Sequence, residues 1–207
     1  MDFRFSEEQH ELQNIARSFL EEASGPEQVR QAMESDLGYD AEVWGQIATE
    51  LGWCCVHIPE EYGGLGLGFV DLVVLLEASG ETVLCAPFFS TVALAANAIL
   101  SLGSEAQKAE LLPEIAEGSV TATLAFAEAE GRWDAEGVQA TATPEGDGFV
   151  LDGTKAWVVD GHSAEWLLIA ARAPGSAGTE GLSLFRVKGD SEGVTRKALP
   201  TMDQTRR

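Results

Sequence analysis

The chain has 207 residues, enough for one large domain or two small ones with real cores, and its 45 % hydrophobic content is ordinary for a globular protein. A formal net charge of −21 argues against nucleic acid as a partner, since that needs a basic footprint, and against anionic membrane surfaces. No apolar run approaches spanning length and no basic-then-apolar leader opens the sequence, so no membrane insertion is expected. Cys54, Cys55 and Cys85 lack metal-ligand spacing and read as reduced thiols in a cytoplasmic protein.

The first half reads as helices. Ser6 and Gln9 form a capping box, and Leu12, Ile15, Ala16, Phe19 and Leu20 fall on one face at helical spacing. A short helix starts at Pro26, whose fixed φ suits a first turn. Asp40 caps a third helix with Val43, Trp44, Ile47 and Leu51 inward, and Gly52 stops it. A Gly-rich loop follows: Ile58-Pro59-Glu60-Glu61-Tyr62-Gly63-Gly64-Leu65-Gly66-Leu67-Gly68. Residues 70–79 are apolar on nearly every side, which predicts a central buried helix. A further helix is expected over 90–102, ended by Gly103. Ser104 and Gln107 then open a second capping box, and Leu111, Leu112 and Ile115 carry that helix past a kink at Pro113 to Gly118.

From Thr121 the period changes to that of strands. Residues 121–128, 138–143, 149–159, 166–173 and 182–187 are β-rich runs separated by Gly, Pro or Asp turns. Asp147-Gly148 reads as a hairpin turn, and Asp152-Gly153 as a turn or bulge inside the third run. Five strands in this order predict a small antiparallel barrel, not a βαβ sheet. No G-x-G-x-x-G leads a strand into a helix, so a Rossmann nucleotide site is unsupported. The expected fold class is α+β, with an all-helical domain over 1–118 and a β domain over 119–207.

Two stretches carry a family resemblance. The run GDGFVLDGTKAWVVDGHSAEWLLIAAR, residues 146–172, closely resembles the middle domain of the acyl-CoA dehydrogenases. These flavoenzymes oxidise a fatty acyl-CoA to its 2,3-enoyl-CoA. The loop at 58–68 resembles the PExYGG-G-G loop of their N-terminal helical domain. The resemblance runs from about Phe5 to Arg207. It implies FAD as cofactor and a truncated barrel, with the family's C-terminal helical bundle absent from these residues.

It also implies roles for particular residues. In the family, a strand segment ending in Thr-Glu-Pro lays its backbone along the flavin ring. The matching stretch is Leu124-Ala125-Phe126-Ala127-Glu128-Ala129, which makes Leu124, Phe126 and Ala127 implied cofactor contacts, with Ala127 in place of the family's Thr. Ordinary core strand is an equal alternative for Phe126 and Ala127. Trp157 stands at the family's flavin-stacking Trp, followed by Val158 and Val159 where Ile and Thr are usual. Where the family has Ala-Gly-Ser-Asp against the acyl-CoA, this chain has Gly131-Arg132-Trp133-Asp134. Trp133 would fill the volume that a thioester and pantetheine need. Glu60 and Glu61 read as loop and surface residues, Glu128 as structural, His57 as a satisfied structural histidine, and His10 and His162 as surface or turn residues. No residue here is expected to be catalytic or to bind metal. The family's base is a Glu in the C-terminal helical domain, so the 207 residues alone are expected to be inactive.

The resemblance thus implies an acyl-CoA dehydrogenase fragment. Its substrate would be an acyl-CoA, its electron acceptor an electron-transfer flavoprotein, and its assembly a homo- or hetero-oligomer of acyl-CoA dehydrogenase subunits. One alternative is a non-catalytic partner subunit of a heteromeric acyl-CoA dehydrogenase, to which the losses at Ala127, Trp133 and Val159 point. The other is a flavin-dependent monooxygenase on the same fold.

Overall fold

A computed structural model of the protein describes residues 4–206; the first three residues and Arg207, where the outer limits of the two expected domains fall, lie outside it. The chain divides into a helical unit, which extends to Val120 and takes in Asp203–Arg206, and a β unit, Thr121–Met202.

In the helical unit, α1 (Glu7–Ala23) begins at the expected cap. Ser6 Oγ accepts from the Gln9 amide and Gln9 Oε1 accepts from the Ser6 amide, which satisfies two donors that have no partner inside the helix. Ala16 and Leu20 are fully buried, but Ile15 is 50 % exposed. Successive helix positions are about 100° apart, so Ile15 turns off the stripe that its neighbour Ala16 occupies. α2 (Pro26–Glu34) starts at its proline. α3 (Ala41–Gly45) is capped by Asp40, which accepts from the Glu42 and Val43 amides, and it runs on through a wider π turn over Gln46–Glu50.

α4 (Phe69–Glu81) lies beside α1. Polar side chains clasp the pair along one rim: Gln9 donates to Asp71 (3.2 Å), Gln13 to Glu77 (3.4 Å), and Arg17 makes a two-pronged contact with Glu81 (2.8 and 2.6 Å). Leu72, Val74, Leu75 and Ala78 are buried, whereas Phe69, Val70 and Val73 are exposed. The helix expected to be buried all round is therefore buried on one side. Beneath it, the fully buried Trp53 meets Phe19 edge-on at 5.8 Å and Phe88 at 5.7 Å. A π-wound stretch, Phe89–Ala96, leads into α5 (Asn97–Leu102), and the Asn97 amide group takes up the Val92 and Ala93 carbonyls. α6 (Glu105–Ala116) opens on the Ser104–Gln107 box and contains Pro113.

The loop at 58–68 folds back on the segment before it. The Leu65, Gly66 and Leu67 amides donate to the Cys55, Ile58 and Val56 carbonyls at 2.8, 2.9 and 3.0 Å. Tyr62 ties the loop to α6 by donating to Glu105 at 2.6 Å, and that carboxylate pushes the Tyr62 hydroxyl up to about 12. The three cysteines are free, and burial pushes the Cys54 and Cys55 thiols up, away from the reactive thiolate.

His57 departs from expectation. It is 9 % exposed, its ring meets Phe69 edge-on, and neither ring nitrogen has a hydrogen-bond partner. Burial pushes its pKa below the ordinary value of 6.5, against a smaller opposing pull from Asn97. The unfolded chain therefore binds the proton more readily than the folded one. Stability from a neutral His57 is complete above about pH 6.5 and is lost as pH falls through the folded-state value. His57→Gln should flatten this part of the pH dependence. Urea melts of both proteins between pH 7.5 and pH 5 test it, and equal slopes would refute the assignment.

The β unit is a mixed sheet. β1 (Ala122–Ala125) pairs in parallel with β4 (Trp166–Arg172), from Ala122 against Trp166 to Ala125 against Ile169. β4 pairs antiparallel with β5 (Leu182–Lys188) on its other side. β2 (Thr141–Glu145) and β3 (Gly148–Asp152) form an antiparallel hairpin, joined to the end of β4 by a parallel step at Thr141 and Arg172. The expected antiparallel barrel is thus corrected to a mixed sheet that does not close on itself among the described residues. The reason is the long excursion between β1 and β4, which contains the β2–β3 hairpin and returns the chain in its original direction. The hairpin turn is Gly146-Asp147, one residue earlier than the sequence pattern placed it, with Gly146 at φ 57°. The third run leaves the ladder at Asp152, as its Asp152-Gly153 break allowed.

Candidate cofactor-binding site

Two backbone segments meet beside β1. The first continues β1 through Phe126, Ala127 and Glu128; the second runs from Lys155 to Val159. Hydrogen bonds hold them together and to β1. The Ala156 amide donates to the Ala127 carbonyl (3.0 Å), Thr123 Oγ1 to the Val159 carbonyl (2.7 Å), and Lys155 Nζ to the Phe126 carbonyl (3.2 Å). All six residues with an expected cofactor role therefore lie in one strip. Leu124, Phe126, Val158 and Val159 are half-buried, Ala127 is buried, and the Trp157 indole is exposed.

Two features distinguish this strip from ordinary sheet. The amides of Ala127, Trp157, Val158 and Val159 donate to no protein acceptor among the described residues. Trp157 sits at φ 58°, in the left-handed region. For a bulky residue that costs on the order of 1–3 kcal/mol, and such strain concentrates at ligand sites. A strip with unpaired donors along one edge and an open aromatic face fits a flat group with a polar rim.

Trp133, the residue expected to face substrate, is 82 % exposed and stands edge-on to Phe126, with ring centroids 5.6 Å apart and planes at 89°. It is therefore next to the strip but not packed into it. Its loop is pinned on both sides. Arg132 pairs with Asp134 (2.8 Å) and Glu136 (2.9 Å), and the Asp134 side chain accepts from the Gly137 amide (3.0 Å).

Lys155 has no expected role in the sequence, and Glu128 only a structural one. The two form an ion pair at 2.7 Å, with side chains 8 % and 14 % exposed. Glu128 Oε1 also accepts from the Gln139 and Ala140 amides, both at 2.9 Å. Burial alone would raise the Glu128 carboxyl, but the Lys155 ammonium and the two amides outweigh it and hold the group below the usual carboxylate value. The signal available in the sequence was a lysine inside an otherwise apolar motif, Thr154-Lys155-Ala156-Trp157.

Comparison with known proteins gives this strip its context. Residues 6–119 match the profile of the acyl-CoA dehydrogenase N-terminal domain, and residues 123–205 that of the middle domain. The probable acyl-CoA dehydrogenase FadE25 of Mycobacterium tuberculosis is 29 % identical over 194 residues, 93 % of this chain and 49 % of its own length. A variant of the Tcur3481–Tcur3483 steroid ACAD is 37 % identical, with a TM-score of 0.78 over 90 % of this chain and 49 % of that one. The ChsE4–ChsE5 complex from Mycobacterium tuberculosis is 26 % identical, with a TM-score of 0.82 over 96 % and 52 %. The chain spans about half the length of the curated relatives it matches. Both of its units answer to the same family, and the chain belongs to the acyl-CoA dehydrogenases.

Proposed function

We propose that this chain forms the flavin-facing part of an acyl-CoA dehydrogenase subunit. The family is FAD-dependent, and bound FAD supplies the hydride acceptor for 2,3-oxidation of an acyl-CoA thioester. The observation that carries the reading is Trp157, exposed and held at positive φ beside a run of unpaired amides. In this reading the amides of Ala127 and 157–159 hold the polar edge of the flavin, and the Trp157 indole covers part of its face and keeps water from it. Leu124 and Phe126 supply apolar wall. The hydroxyl that the family places at position 127 is replaced by a methyl group, so the amide there is the remaining donor. A visible spectrum of the full-length protein tests this. Bound yellow flavin is the expected result, and a colourless protein that takes up no added FAD would overturn it.

A second reading, a non-catalytic partner subunit of a heteromeric acyl-CoA dehydrogenase, is favoured by Trp133. An indole stands where a small hydroxyl side chain would admit the thioester, and two of the similar structures are named as pairs of proteins. Trp133→Ser should then tighten acyl-CoA binding by about tenfold, equivalent to about 1.4 kcal/mol. Calorimetry on the intact protein checks this. Tight acyl-CoA binding by the unmutated protein, unchanged in the variant, would remove Trp133 from the substrate path and with it the second reading.

A further inference from the structure

The Lys155–Glu128 pair differs from the other ion pairs among the described residues, each of which keeps at least one partner well exposed. Withdrawing two charges from water is costly, and a buried pair is weak evidence of stability in itself. Its placement gives it a use. One carboxylate oxygen gathers Lys155 Nζ and the Gln139 and Ala140 amides, and the same ammonium reaches back to the Phe126 carbonyl. Lys155 directly precedes Ala156, which donates to the Ala127 carbonyl, and Trp157, with its left-handed backbone. Three chain segments are thus drawn to one point beneath the strip.

We propose that Glu128 and Lys155 are positioning residues, which fix the spacing between the 126–127 and 156–159 backbones so that their free amides and the Trp157 indole address one planar group. Neither side chain is required to touch that group. The proposal rests on the flavin reading above. It also accounts for the burial of both charges: with hydrogen bonds to fixed backbone groups on two sides, the pair has one low-energy geometry, unlike a surface pair that wanders between several.

The test uses the full-length protein and two measurements: amide hydrogen exchange in the flavin-free state, and the dissociation constant for FAD. Glu128→Gln should speed exchange at the Ala156 amide by about tenfold or more while leaving Leu168 in the middle of β4 unchanged. It should also weaken FAD binding by about tenfold, the scale on which loss of supporting partners weakens metal sites. Lys155→Arg keeps the charge and several donors and should stay close to the parent in both measurements. If a single variant does not fold, Glu128→Gln/Lys155→Met leaves no lone buried charge and should show the same loose Ala156 amide and weak FAD binding. A folded Glu128→Gln or Glu128→Gln/Lys155→Met protein with unchanged FAD affinity overturns the proposal, whether or not exchange at Ala156 has accelerated, because the pair would then be structural only. Uptake of FAD by the wild-type protein separates the two failures. No uptake overturns the flavin reading and this proposal with it, whereas uptake that is indifferent to the pair overturns this proposal alone.

Discussion

Gly64→Ala is expected to destabilise the helical unit by about 3 kcal/mol or more, among the larger effects open to a single methyl group. A Cβ placed on Gly64 would fall inside the Ile58 carbonyl group, overlapping both its oxygen and its carbon. Neither atom belongs to a side chain that can change rotamer. Ile58 O is moreover held in place as the acceptor of the Gly66 amide at 2.9 Å, and the Gly64 amide itself donates to the Pro59 carbonyl at 3.1 Å. Relief therefore requires the reversal to open and give up several backbone hydrogen bonds at once. Gly45→Ala is the matched control. Gly45 has helical backbone angles, and a Cβ there meets nothing within 4 Å, so the substitution should be neutral or stabilise by about 0.4–1 kcal/mol through the unfolded chain. Chemical denaturation of the two variants beside the parent decides the matter. A Gly64→Ala protein within about 1 kcal/mol of the parent would mean that the loop does not make this close approach.

The same loop shows what a sequence makes legible and what it hides. Its glycines marked a place where the backbone needs freedom, and the structure gives the reason at Gly64: close approach, not left-handed geometry. Helix starts were readable because caps are local. Ser6, Asp40 and Ser104 each act through groups within three residues, and all three cap as expected. The face that α4 presents was not readable, since its run is apolar around most of its circumference and only its neighbours decide which side is covered. Sheet direction failed for a related reason. Strand periodicity is the same in parallel and antiparallel ladders, so the parallel pairing of β1 with β4 was invisible in it.

In the site, residue types carried the resemblance, but contacts across the chain carried the geometry. The strip from Leu124 to Ala127 and the one from Trp157 to Val159 were both singled out, and the structure lays them together. The pairing of Lys155 with Glu128 is not legible in the sequence because the two are 27 residues apart. A satisfied His57 is the sequence expectation, since nothing in a sequence says whether a buried ring nitrogen finds a partner, and in the structure neither nitrogen does.

Arg172→Met is expected to cost about 3 kcal/mol and to loosen the loop that carries Trp133. Arg172, the last residue of β4, is 5 % exposed, and the groups that receive its hydrogen bonds are neutral. Its guanidinium donates to the carbonyls of Val138 (2.5 Å), Ala135 (2.6 Å) and Gly178 (3.0 Å), and weakly to Ser176 Oγ (3.5 Å). Two effects of the substitution oppose each other. Removing a buried cation relieves its desolvation, which favours the variant. It also strips the donor from the buried Val138 carbonyl and the half-buried Gly178 carbonyl, while the Ala135 carbonyl keeps only the Val138 amide at 3.3 Å; a buried acceptor left unpaired costs roughly 1–3 kcal/mol. Two orphaned carbonyls and a weakened third against one charge should leave a net loss, because methionine reproduces the length of the side chain but offers no donor. Lysine does only partly better: a single ammonium cannot span acceptors on separate segments as the planar fork does, so Arg172→Lys should fall between parent and Met. The Ala135 and Val138 carbonyls bracket the short turn Ala135–Gly137, which follows directly on Trp133 and Asp134. Its release should speed exchange at the Gly137 amide, now held by the Asp134 backbone carbonyl and carboxylate, both at 3.0 Å. Thermal melts rank the three proteins, and exchange at Gly137 reads the loop. If Arg172→Met melts with the parent, the relief of desolvation has won, and the Trp133 loop owes its placement to the Arg132–Asp134–Glu136 cluster alone.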